Sequence, residues 1–332
     1  MKKIIVASDS FKGTYASLQI AEKISDILIP AGYAVYPIDM SDGGEGFCQS
    51  LTHALHGVFH QVDVHDPLMR PITATYGTAN DTAIIEMAAA NGLSLLRPDE
   101  YDPWNATTFG TGELIADALR KGYRQFIVGL GGSATSDCGM GMLDALKDYH
   151  ILLEESSFLI ASDVTNPLCG PHGAAHVYAR QKGADDSMIQ RLEKRSSYYG
   201  ALLERISGRS IIHIPGSGAA GGLGAAFLSL PHVNIRSGAD IVLDAHRFDI
   251  IASDAYAVIT GEGCIDSQTL QGKVPYKIAL RAKELGVPSI AIYGKRELSV
   301  DGKQDLPWLD MLCINHEGFT NDLIKALGTL YK

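Results

Sequence analysis

Two rhythms of apolar and polar positions take turns along the chain. Lys3-Ile4-Ile5-Val6-Ala7 is a short apolar run of the kind a buried strand makes. After a loop, Ile20, Ile24, Ile27 and Leu28 recur at i, i+4, i+7 and i+8, which is helix spacing. Tyr33-Ala34-Val35-Tyr36-Pro37-Ile38 predicts a second strand, so the chain opens with a βαβ unit. Further strands are expected at Phe126-Ile127-Val128, Phe158-Leu159-Ile160, Ala257-Val258-Ile259 and Ser289-Ile290-Ala291-Ile292. The helix before Phe126 ends in Arg120-Lys121-Gly122, where cations suit the negative end of the helix dipole and glycine suits the C′ position. Strands alternating with helices predict α/β architecture with a largely parallel sheet. Thr73-Ala74-Thr75-Tyr76 and Thr82-Ala83-Ile84-Ile85 depart from this pattern. Separated by Gly77 and Asn80-Asp81, they predict a hairpin with a longer loop, and with it a mixed sheet in a second domain.

A length of 332 residues suits two domains, and 46% hydrophobic against 20% charged residues is ample for a core in each. With 28 Lys+Arg against 38 Asp+Glu, the formal charge of −10 argues against a nucleic-acid partner, which needs a basic face. An anionic substrate must then be held by a local site rather than by the field of the whole molecule. No apolar run approaches the roughly 18–20 residues of a membrane span, and Ile4–Ala7 is too short for the core of a signal peptide. Cys48, Cys138, Cys169, Cys264 and Cys313 are widely spaced and never form a C-x-x-C pair, which points to a thiol-reduced, cytoplasmic protein. His53, His56, His60 and His65 cluster without metal-ligand spacing and read as a helix surface and the strand after it. The 35 glycines exceed the about 23 expected at ordinary usage, and they are concentrated in a few loops.

Gly129-Leu130-Gly131-Gly132-Ser133-Ala134-Thr135-Ser136-Asp137 lies between a strand and a helical run, where backbone N–H groups can approach an anion. Ser133 and Thr135 add hydroxyls, and Asp137 suits either a helix cap or a magnesium ion. Gly216, Gly218 and Gly221 match G-x-G-x-x-G after Ile211-Ile212-His213-Ile214, with Asp240 at the distance of a ribose-binding acid. That spacing fits a nicotinamide-dependent oxidoreductase; close helix packing through small residues explains it equally well. Asp9-Ser10-Phe11-Lys12-Gly13 and Asp42-Gly43-Gly44-Glu45-Gly46 follow the first two strands, at the carboxyl ends where open α/β sheets bind ligands. Lys12 can hold a phosphate or carboxylate, and Asp42 can act as base or metal ligand. Asp163 and Glu262 follow later strands, and Lys182 sits in Gln181-Lys182-Gly183. Neither a G-x-x-x-x-G-K-[ST] loop nor a G-x-S-x-G elbow occurs.

Taken in order, these loops resemble the bacterial glycerate kinase family of glyoxylate and aldarate breakdown. The resemblance spans nearly the whole chain and rests on Asp9–Gly13, Asp42–Gly46, Glu86-Met87-Ala88, Thr108–Leu114, Gly131–Asp137, Asp163–Leu168, Gln181–Ala184, Gly216–Gly224 and Gly261-Glu262-Gly263. It implies transfer of the γ-phosphoryl group of ATP, with Mg²⁺, to a hydroxyl of D-glycerate. The expected product is 2-phosphoglycerate, with 3-phosphoglycerate or a non-catalytic glycerate or nucleotide sensor derived from the family as alternatives. The implied fold has a discontinuous Rossmann- or flavodoxin-like domain, 1–62 with 275–332, a mixed α/β domain inserted at 63–274, and an active site in the cleft between. The resemblance implies Asp42, Lys12 and Asp163 as catalytic residues, and Gly131, Gly132, Ser133, Ala134, Thr135, Gly218 and Gly221 for the nucleotide. Asp9, Ser10, Glu45, Lys182 and Glu262 are expected at the substrate, and Asp137 and Asp163 at the metal. Ser136, Cys138, Phe109 and Ser8 depart from common family residues, and the stretch from Leu146 to Asp163 is shorter than usual by a few tens of residues.

Overall fold

The structure, a computed structural model, describes residues 1–11, 14–297 and 306–330. Among these, the strands in chain order are β1 (Lys2–Ser8), β2 (Tyr33–Asp39), β3 (Val58–His65), β4 (Pro71–Ala79), β5 (Thr82–Glu86) and β6 (Gln125–Gly129). They continue with β7 (Ser157–Ala161), β8 (Val233–Arg236), β9 (Ala257–Ile265), β10 (Ser289–Arg296) and β11 (Asp310–Cys313). The chain forms two compact units, Met1–Asp42 with Ala239–Lys332, and Gly43–Gly238.

The first unit holds a five-stranded sheet in the order β2-β1-β9-β10-β11, parallel throughout. Ile4, Ile5, Val6 and Ala7 are fully buried, as a central strand covered on both faces requires. The helix Ser17–Leu28 turns Ile20, Ala21, Ile24 and Leu28 onto the sheet, and its start is held by the Ala16 N–H donating to Gln19 Oε1 at 2.8 Å. Strand order reverses between β1 and β9, a topological switch point.

The second unit holds a six-stranded mixed sheet, β3-β4-β5-β6-β7-β8, antiparallel from β3 to β5 and parallel from β5 to β8. The hairpin is tighter than its sequence suggests. Gly77 lies within β4, Ala79 pairs with Thr82, and only Asn80-Asp81 form the turn, with Asn80 at φ 50°. In the core Phe158 stacks on Phe126 with centroids 4.8 Å apart and meets Phe227 at 5.6 Å.

The units divide at residues 42/43 and 238/239, rather than at 62/63 and 274/275. The helix Phe47–Ala54 packs on β4 and β5, and β3 pairs along its length with β4, so both belong to the second unit. At the other end β9 pairs with β1 and β10 in the first sheet. His53 falls on that helix, while His60 and His65 lie on β3, where the His65 ring nitrogen Nδ1 is 2.9 Å from Glu113. Among the described residues no helix is long and apolar enough to cross a membrane. The five cysteines are free thiols.

Phe158→Ala removes the middle ring of the aromatic stack and should cost the second unit about 3–5 kcal/mol. Denaturant unfolding followed by a probe in that unit measures the loss; a cost below about 1 kcal/mol would mean that the stack does not anchor the core.

Candidate active site

At the carboxyl edge of the first sheet, β1 runs into Asp9, whose N–H donates to Gly261 O at 2.9 Å. The Ser8 hydroxyl donates to the same oxygen at 3.0 Å, and Asp9 Oδ1 accepts the Ser10 N–H at 2.7 Å. Glu262 follows Gly261 on β9 and is buried. Its Oε1 accepts the Thr269 hydroxyl at 2.5 Å and its Oε2 accepts Lys273 Nζ at 3.2 Å. Burial pushes the Glu262 carboxyl upward, against the pull of Thr269 and Lys273. Asp9, Ser10 and Glu262 therefore collect at the switch point. Lys12 lies outside the described residues.

The second sheet builds its carboxyl edge from two loops pressed together. Strand register aligns Glu86, Gly129 and Ala161 across β5, β6 and β7. The chain at Gly43-Gly44 crosses this edge, where the Gly131 N–H donates to Gly43 O at 2.9 Å. A Cβ on Gly129 would fall 2.5 Å from Gly43 O, and one on Gly131 would fall 2.3 Å from Gly44 Cα. Only glycine permits this approach. Asp42 immediately precedes the crossing, Glu45 is exposed just after it, and Asp163 is exposed two residues beyond β7.

Beyond Gly131 the chain turns inward. Gly132 is exposed, Ser133 is nearly buried, and Ala134 and Thr135 are buried. Lys182, only 2% exposed, donates from Nζ to Ser133 Oγ and to Thr135 O, both at 2.7 Å. Burial pushes its ammonium down to about 7, opposed by the charge of Asp137. A neutral amine still carries two N–H donors, enough for both bonds. Thr135 Oγ1 and Asn91 Nδ2 are buried without a hydrogen-bond partner beside this turn. Asn91 is tied to it by its own carbonyl, which accepts the Ala134 N–H at 3.0 Å.

Asp137 is a cap. Its Oδ2 accepts the Thr108 N–H at 2.8 Å, the Thr108 hydroxyl at 2.9 Å and the Gly141 N–H at 3.1 Å, while Oδ1 accepts the Gly139 N–H at 3.1 Å. Those donors join the starts of the helices Phe109–Arg120 and Met140–Ala145, so the carboxylate already serves as a cap for both. Among the described residues no three His, Cys, Asp or Glu side chains converge as metal ligands.

Gly218 and Gly221 lie in packing beneath the turn. The Gly218 N–H donates to Asn166 O, Gly221 O accepts the Cys138 N–H, and a Cβ on Gly221 (φ 65°) would fall 2.0 Å from Thr135 O. Ile211–Ile214 forms turns instead of a strand, and Asp240 begins a helix of the other unit, so the βαβ setting of a dinucleotide fold is missing. Sequence reasoning assigned no role to Glu86 or Asn91. Glu86 accepts the Cys48 N–H at 3.3 Å and the N–H groups of Gly46 and Phe47, and burial pushes its carboxyl up to about 7. Its position at the end of a predicted strand was the available signal.

The family model described as the glycerate kinase family matches residues 4–152 and 146–317. The chain belongs to the glycerate kinase family. It is 39% identical over 327 residues to a glycerate kinase of Halalkalibacterium halodurans, covering 89% of this chain and 86% of the relative. It is 37% identical over 325 residues to the glycerate 2-kinase of Escherichia coli, covering 88% and 85%. A crystal structure of putative glycerate kinase 2 from Salmonella typhimurium superposes with a TM-score of 0.77 at 34% identity, covering 98% of this chain and 95% of that one. As a glycerate kinase family enzyme the protein has the expected two α/β units. The two matched stretches overlap at 146–152, within the segment that its sequence suggests has been trimmed. There the chain makes only the short helical pieces Lys147–Tyr149 and His150–Glu154 before β7.

The lowered value of Lys182 has a consequence for stability. Between pH 7 and 10.5 the unfolded chain holds a proton that the folded chain has released, so this group's contribution to stability rises with pH across that window. Comparing urea unfolding of the native protein and Lys182→Met should show a difference that moves in favour of the native protein by up to about 1.4 kcal/mol per pH unit. A difference independent of pH would mean that Lys182 stays charged in its site.

Proposed function

We propose that the protein transfers the γ-phosphoryl group of ATP to the 2-hydroxyl of D-glycerate, releasing ADP and 2-phosphoglycerate. The observation that carries this reading is the glycine-lined edge of the second sheet, with Asp163 exposed just beyond β7, in a chain similar along its length to proteins named glycerate kinase. Phosphoryl transfer asks mainly for in-line placement, screening of phosphate oxygens and a proton acceptor.

In this reading the turn at Gly131 and the exposed Gly132, with Ser133 behind it, takes the nucleotide phosphates. Ala134 and Thr135 form the buried part of the turn, and Gly218 and Gly221 pack beneath it. Lys12 neutralises phosphate or the glycerate carboxylate. Asp9, Ser10, Glu45 and Glu262 orient glycerate, and Lys182 holds Ser133. The glycerate hydroxyl oxygen attacks the γ-phosphorus as the bond to the β–γ bridging oxygen breaks, and Asp42 takes the hydroxyl proton. Magnesium commonly binds one or two carboxylates together with substrate phosphates, so a cluster of three protein ligands is not required. Asp163, exposed at the strand end, fits that part better than Asp137, whose Oδ2 already accepts several hydrogen bonds. A relative named glycerate 2-kinase supports the choice of the 2-hydroxyl.

The test is the purified protein with ATP, Mg²⁺ and D-glycerate, with product coupled through enolase, pyruvate kinase and lactate dehydrogenase. Signal without added phosphoglycerate mutase is expected; signal only with mutase would reverse the regiochemistry, and none in either arm would remove the activity. Asp42→Asn should lower turnover on the order of 10²–10⁴-fold with the fold intact. Near-normal turnover would take Asp42 off the list of catalytic groups.

A further inference from the structure

The chain at 43–46 has three glycines in four residues, and glycine backbone is costly to hold in one conformation. Gly43 and Gly46 have φ of 101° and 82°, so the segment adopts left-handed geometry twice. The helix it enters, Phe47–Ala54, has Gly46 at its N-cap and receives no side-chain hydrogen bond from it. Acceptors for the first N–H groups must come from elsewhere. One is Gly44 O, which accepts the Phe47 N–H at 3.1 Å. The other is Glu86 at the end of β5, which accepts from Gly46, Phe47 and Cys48. Its side chain ties this helix start to the sheet edge, beside a cavity of about 520 Å³ lined also by Gln49, His53 and Phe59.

We infer that Glu86 is a positioning residue for phosphoryl transfer: its ionised carboxylate clamps the glycine segment and so fixes the place of Asp42. The inference rests on the reading of Asp42 as proton acceptor. An ionised carboxylate accepts several N–H bonds, whereas a protonated one gives up acceptor capacity and adds a donor among donors. Burial raises the Glu86 carboxyl to about 7, with Glu45 raising it further and the three N–H groups lowering it, so the clamp loosens as pH falls through neutrality. The titratable groups facing Glu86 are Glu45 on the segment, the Cys48 thiol on the helix and His53 across the cavity; Thr75 of β4, Gly129 of β6 and Ala89 carry none.

The test compares pH profiles of kcat for the native enzyme, Glu86→Gln and His53→Asn, with Asp42→Asn as control. The native enzyme should lose turnover below about pH 7. Glu86→Gln should lower kcat roughly 10-fold or more, change KM for ATP less than twofold and abolish that acid limb, while His53→Asn retains it. Native kcat and an unchanged limb in Glu86→Gln, with Asp42→Asn inactive, overturn this proposal alone. Full turnover in Asp42→Asn overturns the assignment of Asp42 and this proposal with it. Should Glu86→Gln fail to fold, amide hydrogen exchange of the native protein decides. Protection of Gly46, Phe47 and Cys48, corrected for intrinsic rates, should fall at least 10-fold from pH 8 to pH 6, and constant protection overturns the clamp.

Discussion

Gly43 and Gly44 lie against Gly129 and Gly131 so closely that no methyl group fits between them, and one backbone hydrogen bond, Gly131 N–H to Gly43 O, fastens the pair. The rest of the site follows from that contact. It brings the chain after β2 to the carboxyl edge of β6 and β7, and it starts the turn that carries Ser133 and Thr135. A larger residue at Gly129 or Gly131 would push apart the segments on which the proposed chemistry depends. The composition reflects the constraint: the glycine excess is a packing requirement of this edge as well as a source of N–H donors.

Around the contact, charged groups are held by burial and by backbone rather than by pairing with opposite charges. Lys182 meets a hydroxyl and a carbonyl, Glu86 meets backbone N–H groups, and Asp137 meets backbone and hydroxyl donors. Ionisation of such groups is costly when buried, and the cost appears as the lysine pushed down and the glutamate pushed up. Asp137, with several donors to share the charge, works as a structural link between two helix starts.

Periodicity was enough to find β1, β6, β7, β9 and β10, whose largely buried apolar runs leave a strong signal in the sequence, and β2 as well, although only its Ile38 is buried. The edge strands β3, β8 and β11 were not marked by it: Val233-Asn234-Ile235-Arg236 is short and half exposed, so its pattern is hardly distinct from a loop. Unit boundaries were misread because the helix Phe47–Ala54 gives no sign in one dimension of which sheet it will cover. The loops at strand ends were legible as a set, through repetition of acid beside glycine. Their individual duties were not. Asp137 reads equally as cap or metal ligand until its donors are seen, and Gly221 reads as a dinucleotide fingerprint until Thr135 O is found 2.0 Å from where its Cβ would be.

The first unit is assembled from both ends of the chain, and β1 takes its place between β2 and β9. During synthesis β1 and β2 emerge long before Ala257–Ile265 does, so one edge of β1 stays unpaired while the whole second unit is being made. The second unit is continuous in sequence and needs nothing downstream to close its own sheet. The order of completion therefore departs from the order of synthesis: the N-terminal strand is among the first segments made and among the last to be paired on both sides, and its open edge is exposed for that interval.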